Sequence, residues 1–135
     1  MTRASLALGL ALAIAGCSSR GNLQLGMIEG PRSISGKVEA YRTNQHTIAV
    51  PRAGNLVIRL TWQDPTVDLE LYLGSVSCPA LYPTNACPIS AASRSAVGAV
   101  EEVARTVNAG RQYSVFVDNL DPKRGQNYRL TLEVR

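Results

Sequence analysis

Apolar and polar residues alternate with a period of two along much of this chain, most clearly through Asn55–Leu73. Leu56, Ile58, Leu60 and Trp62 share one parity, and Val57, Arg59 and Thr61 the other. Val67, Leu69, Leu71 and Leu73 repeat the pattern against Asp68, Glu70 and Tyr72. Successive side chains of a strand point to opposite faces, so each run predicts a strand with one buried and one wet face. Gln63-Asp64-Pro65 separates the runs as a short turn, because proline fixes φ and lacks the N–H that a central strand donates.

The flanking sequence reads the same way. Ser33–Tyr41 predicts a strand with Ile34, Val38 and Ala40 inward. A turn at Arg42-Thr43-Asn44 then lets Gln45–Val50 pair back on it, with Ile48 and Val50 alternating. Gly74–Pro88 contains three prolines, a glycine and an asparagine, and reads as a loop. Ile89–Ser93 is a short strand. Ser95–Val107 carries two signals: Val97, Val100, Ala104 and Val107 have near-helical spacing with a Glu101/Arg105 pair, whereas Gly98 and the many valines favour a strand. Ala99–Thr106 is taken as the strand. Asn108-Ala109-Gly110 is a turn, Gln112–Asp118 alternates, and Asn119–Gln126 reads as a hairpin loop. Asn127–Arg135 closes the chain with Tyr128, Leu130, Leu132 and Val134 inward. Strands at this spacing predict an all-β fold, a jelly-roll-like or Greek-key sandwich of about eight antiparallel strands.

Composition narrows this picture. The 135 residues suit one domain, and few aromatics with eleven glycines imply an aliphatic core and many turns. The formal charge is +4, and loss of Arg3 with a leader would leave +3; the arginines are scattered among acids. That distribution lacks the clustered basic face of a nucleic-acid binder.

Residues 1–16 have the form of an export signal: Arg3, then the apolar run Leu6–Ala15, which falls short of the about 20 residues needed to span a bilayer. Ile14-Ala15-Gly16-Cys17 resembles the bacterial lipobox. The resemblance implies cleavage before Cys17 and acylation of Cys17, with two or three chains giving stable membrane attachment; the alternative is ordinary cleavage and a free Cys17. Ser18 rather than Asp after the cysteine points to the outer membrane of a Gram-negative cell. Residues 17–32 then read as lipidated cysteine and flexible tether, with an edge strand through Leu23–Ile28 as the other reading.

With Cys17 acylated, Cys78 and Cys87 remain as one pair in an oxidising compartment, and a disulfide is expected. Two cysteines make only half a tetrahedral metal set, and the single histidine, His46, lies on a separate strand. His46 has no recognisable nucleophile motif around it. Asp68 and Glu70, i and i+2 on one strand face, stand roughly 6–7 Å apart by strand rise, a spacing compatible with paired-carboxylate hydrolysis. No cleft is evident, and no catalytic residue is assigned. Calcium is the cofactor the sequence leaves open: Asp64, Asp68, Asp118 and Asp121 stand at strand ends or in loops, where oxygen ligands for calcium are found. Tyr72, outward beside Asp68 and Glu70, makes those three the candidate ligand-binding patch; the plainer reading of Tyr72 is a cross-strand aromatic contact.

The order of motifs is informative. An Ala-Gly turn, Leu56–Thr61, Val67-Asp68-Leu69-Glu70-Leu71-Tyr72-Leu73, Asn108-Ala109-Gly110-x-x-Tyr113-x-Val115-x-Val117 and Asn127-Tyr128-x-Leu130-x-Leu132 together resemble the bacterial pre-peptidase C-terminal domain over 33–135. That resemblance implies a small jelly-roll-like sandwich that assists secretion or solubility, or binds protein, glycan or calcium. Two features depart from the family: no peptidase domain accompanies the module, and Glu70 replaces an Asp. The expected role is a non-catalytic, lipid-anchored envelope module that binds or supports an envelope protein or glycan. The alternatives are a structural accessory subunit that uses a sheet edge, and a hydrolase.

Overall fold

The computed structural model describes residues 22–28, 30–82 and 87–135. Cys17 and the leader lie outside the described residues. Nine strands form two sheets, with no helix among the described residues. They are β1 (Asn22–Met27), β2 (Arg32–Val38), β3 (Thr43–Val50), β4 (Gly54–Trp62), β5 (Leu69–Ser75), β6 (Ile89–Ser93), β7 (Val100–Val107), β8 (Arg111–Asn119) and β9 (Gln126–Val134). One sheet has the order β1-β3-β8-β5-β6 and the other β2-β9-β4-β7. The expected sandwich is therefore present. Eight strands pair antiparallel, and β1 adds to β3 in parallel. β1 occupies part of the stretch read as tether, so the edge-strand reading of Leu23–Ile28 is the one that holds.

Partner choice departs from the sequence expectation. β3 pairs with β8, not with β2, and β8 and β9 lie in different sheets, so Asn119–Gln126 is not a hairpin loop. β4 and β5 also lie in opposite sheets. Among the described strands only β5 and β6 are consecutive and paired. Alternation fixes which face of a strand is apolar but not its neighbour. Passing from sheet to sheet lets the apolar faces of consecutive strands meet. Leu56, Ile58, Leu60 and Trp62 of β4 share one core with Val67 and with Leu69, Leu71 and Leu73 of β5. Val115 and Val117 of β8 and Leu130, Leu132 and Val134 of β9 complete it. Ala99–Thr106 is a strand as expected, displaced by one residue, and Gly110 takes the positive φ its turn requires, 72°.

One polar contact bridges the two sheets inside the core. His46 of β3 is 3% exposed, and its Nε2 lies 2.7 Å from the Tyr128 hydroxyl of β9. Asn44 Nδ2 donates to the same oxygen at 3.0 Å. Gly36, opposite Tyr128 on β2, makes room for the ring: a Cβ there would stand 2.6 Å from the hydroxyl. Nδ1 of His46 has no partner among the described residues, so protonation would bury both a charge and an unmatched donor. Burial accordingly holds the His46 pKa below its usual value.

The folded state thus refuses a proton that the unfolded chain accepts near pH 6.5. This contribution to stability is complete above pH 6.5 and is lost as pH falls toward the lowered folded value, at up to about 1.4 kcal/mol per pH unit for one proton. Denaturant titrations of wild type and His46→Gln at pH 7 and pH 5 should show a shallower acid loss in the variant; equal losses would contradict this role for His46.

Candidate functional site

The disulfide loop decides what the outer face of the five-stranded sheet can do. Cys78 and Cys87 are bonded, and Gly74 of β5 lies beneath them. A Cβ at Gly74 would meet both sulfur atoms at 3.1 Å, so any side chain there would push the bridge a few tenths of an ångström off the sheet. Gln45 of β3 anchors the loop by donating from Nε2 to the Cys78 carbonyl at 3.0 Å and to Ser114 Oγ at 2.9 Å. Beneath the loop, Tyr72, Phe116, Leu81 and the two cysteines form a second apolar cluster. Tyr72 and Phe116 are cross-strand partners, 8% and 0% exposed.

This corrects the expectation for Tyr72. It does not stand free on a wet face; the cross-strand aromatic contact is what forms. Its hydroxyl donates to Glu70, and the Tyr82 hydroxyl donates to Asp118 Oδ2 at 2.7 Å. Asp118 also accepts from Thr43 Oγ1 at 2.6 Å. Glu70 and Asp118 face each other across β5 and β8, so the two phenol protons separate neighbouring carboxylates. Desolvation, then the bond to Asp118, pushes the Tyr82 phenol up to about 12. Desolvation, then the bond to Glu70, raises Tyr72. Both phenols remain donors at neutral pH.

Asp68 is not part of that group. It precedes β5, half-buried, and its Oδ1 has no partner. Burial, and secondarily the charge of Glu101, raise its pKa. Glu101 itself is 2% exposed and accepts from Ser93 Oγ and from the Ser95 amide at 2.7 Å, holding the corner between β6 and β7. Sequence reading weighed Glu101 only as half of an i,i+4 pair in the helical alternative and gave it no inward place on the strand. Its shared parity with Val103 and Val107 was the available sign that it points inward.

The four aspartates considered for calcium are distributed over separate contacts. Arg124 reaches Asp64 at 3.0 Å and Asp121 at 2.7 Å, and donates to the Thr66 carbonyl at 3.1 Å. Its guanidinium therefore occupies the space between two of them. Bonds from Thr66 lower Asp64, and bonds from the Lys123 amide and then Arg124 lower Asp121. This clasp joins the β4–β5 and β8–β9 connections. Asn119 adds to it by donating to the Glu39 and Arg124 carbonyls at 3.2 and 2.8 Å. Among the described residues no three His, Cys, Asp or Glu side chains gather in a metal-binding group.

The outer face of the four-stranded sheet is different: none of the described loops lies across it. Ser33 and Ser35 of β2, Asn127, Arg129, Thr131 and Glu133 of β9, and Val57, Arg59 and Thr61 of β4 point outward there. A cavity of about 540 Å³ opens at the Trp62–Tyr128 end, bordered by Ser35, Thr61, Gln63, Asn127 and Arg129. A smaller one of about 130 Å³ lies at the other end, beside Arg59, Glu102 and Glu133. Arg59 approaches Glu102 at 3.9 Å and Arg135 reaches Glu133 at 2.9 Å. Arg129, in contrast, has no side-chain hydrogen bond or ion pair among the described residues.

No family model and no curated protein matches the sequence. Similarity to solved structures is clear at the level of fold. The pre-peptidase C-terminal domain of a Bacillus anthracis collagenase superposes with a TM-score of 0.64 at 17% identity, covering 85% of this chain and 97% of that one. Aeromonas hydrophila PliG, a periplasmic inhibitor of g-type lysozyme, gives 0.57 at 8% identity, with 84% and 99% covered. CorA of Methylomicrobium album BG8, a surface-associated copper-binding protein, gives 0.57 at 7% identity, with 85% and 99% covered. The chain thus has the sandwich fold of a pre-peptidase C-terminal domain.

Replacing Cys78 and Cys87 together by serine should lower stability by about 2–3 kcal/mol, the range for a short closed loop. It should also raise the fluorescence of a hydrophobic dye as Tyr72 and Phe116 are uncovered. A destabilised protein that leaves the dye dark would show that the loop stays seated without its bond.

Proposed function

We propose that this chain is a non-catalytic module of the cell envelope, tethered to the outer membrane through an acylated Cys17, that binds or supports an envelope protein or glycan through the outer face of its four-stranded sheet. The observation that carries this reading is the asymmetry of the sandwich. One outer face is covered by the disulfide loop, while the other, among the described residues, is uncovered and polar and holds the two cavities described above. The periplasmic and surface-associated neighbours support an envelope setting. Among the described residues His46 Nε2 is paired with the Tyr128 hydroxyl inside the core, which fits a structural role for the one imidazole. Calcium has no gathered ligand set to recommend it among the described residues. Strand addition at β7 is disfavoured as the binding mode. Arg105 stands exposed at an inward parity of that edge, and the Glu102 amide already donates to Ser93 Oγ at 3.3 Å.

Crosslinking of the full-length protein in intact cells, with mass spectrometry of recovered material, tests this. Recovery of a partner should fall sharply with Arg59→Glu combined with Thr131→Lys, both on the bare face, and persist with Tyr82→Ser on the roofed one. The reverse pattern would overturn the assignment of the face. A Cys17→Ser protein that still partitions with membranes, with no acyl mass on the wild type, would overturn the anchor.

A further inference from the structure

The larger cavity on the bare face has a chemistry of its own. Arg129 lies between Ser35 of β2 and Thr61 of β4 as the cross-strand partner of each. Gln63 and Asn127 border the same opening, and Trp62 and Tyr128 close its inner side. Among the described residues the rim is thus hydroxyl, amide and one guanidinium, with no carboxylate lining it. Arg59 and Arg124 are each engaged by an acid, whereas Arg129 has no such partner among the described residues. A guanidinium without a partner, beside donors and away from acids, is complementary to a carboxylate, which it can grip through two parallel N–H bonds.

The remaining donors suit a hydroxylated ligand rather than a protein anchor. Protein interfaces centre on buried aromatic side chains. The most exposed large apolar residues of the described chain, Val97, Tyr41 and Tyr82, border neither cavity. The depression is shallow and open to solvent, with about 540 Å³ of space above its lining residues, so a ligand held there keeps one side in water.

The geometry points to this cavity as a binding site for a carboxylate-bearing sugar, with Arg129 receiving the carboxylate and Ser35, Thr61, Gln63 and Asn127 receiving ring hydroxyls. This assignment rests on the bare face being the binding face, and it names the ligand class. A protonated, esterified or neutral sugar forfeits the charge-assisted contact and binds more weakly.

The test is an amide-resolved NMR titration of the full-length protein with three probes: tetragalacturonate, a hyaluronan tetrasaccharide, and a disaccharide containing N-acetylmuramic acid. At least one should shift the amides of Ser35, Thr61, Gln63, Asn127 and Arg129. Its methyl ester should bind about tenfold more weakly, the loss of one charge-assisted pair. Arg129→Gln, an exposed substitution, should cause a similar loss, and Arg105→Gln none. The proposal is overturned if none of the three shifts these amides. It is also overturned if ester and acid bind alike, if Arg129→Gln is without effect, or if a tetraglutamate peptide outcompetes every sugar acid. Failure here, with crosslinked partner still lost on Arg59→Glu and Thr131→Lys, would remove the sugar-acid site and leave the face itself standing.

Discussion

A disulfide pressed onto a glycine governs the outside of this sandwich. Gly74 offers no side chain, so the Cys78–Cys87 bridge can rest on β5. The loop it closes turns Tyr72 and Phe116 from surface residues into a second apolar cluster. Gln45 and the Tyr82–Asp118 contact hold the loop from β3 and β8. With that face roofed, Glu70 and Asp118 become internal partners of phenols rather than free ligands. The outer face of the four-stranded sheet has no such cover among the described residues.

The inner core follows a second constraint, that consecutive strands mostly change sheet. Their connections therefore run across the ends of the sandwich. One end is bound together by Arg124 and Asn119. Such a connection order places contacts far apart in sequence, the pattern that makes β-sandwiches slow to fold. The His46–Tyr128 contact sits within this core, where each partner is shielded from water and Gly36 provides the space. It ties β3 of one sheet to β9 of the other with a directional bond, in a core otherwise dominated by aliphatic packing.

Most strands were legible in the sequence because alternation is local. Leu56 to Trp62 and Tyr128 to Val134 announce their buried faces directly. Trp62 falls in the core by the same parity. Partner choice was not legible, since nothing in Gln45–Val50 distinguishes β2 from β8 as a neighbour. Tyr72 was placed on a wet face because parity separates two faces without saying whether a distant loop covers one. Gly74, an isolated glycine at the end of a strand just before the cysteine-bearing segment of the future roof, was the signal that something approaches closely. Arg124 was missed as the partner of Asp64 because the two come together only when the loops after β4 and β8 meet. The outer face of β9 was read simply as polar, and only its register beside β2 and β4 shows Arg129 framed by Ser35 and Thr61.

The two faces can be compared directly by the rate at which a maleimide labels single introduced cysteines, in isolated envelopes and in purified protein. Thr131→Cys probes the bare face, and Ala92→Cys an exposed position on the roofed sheet. Slower labelling in envelopes at position 131, with an unchanged rate at position 92, is the result this account predicts. Protection at position 92 alone, or at neither, would contradict it.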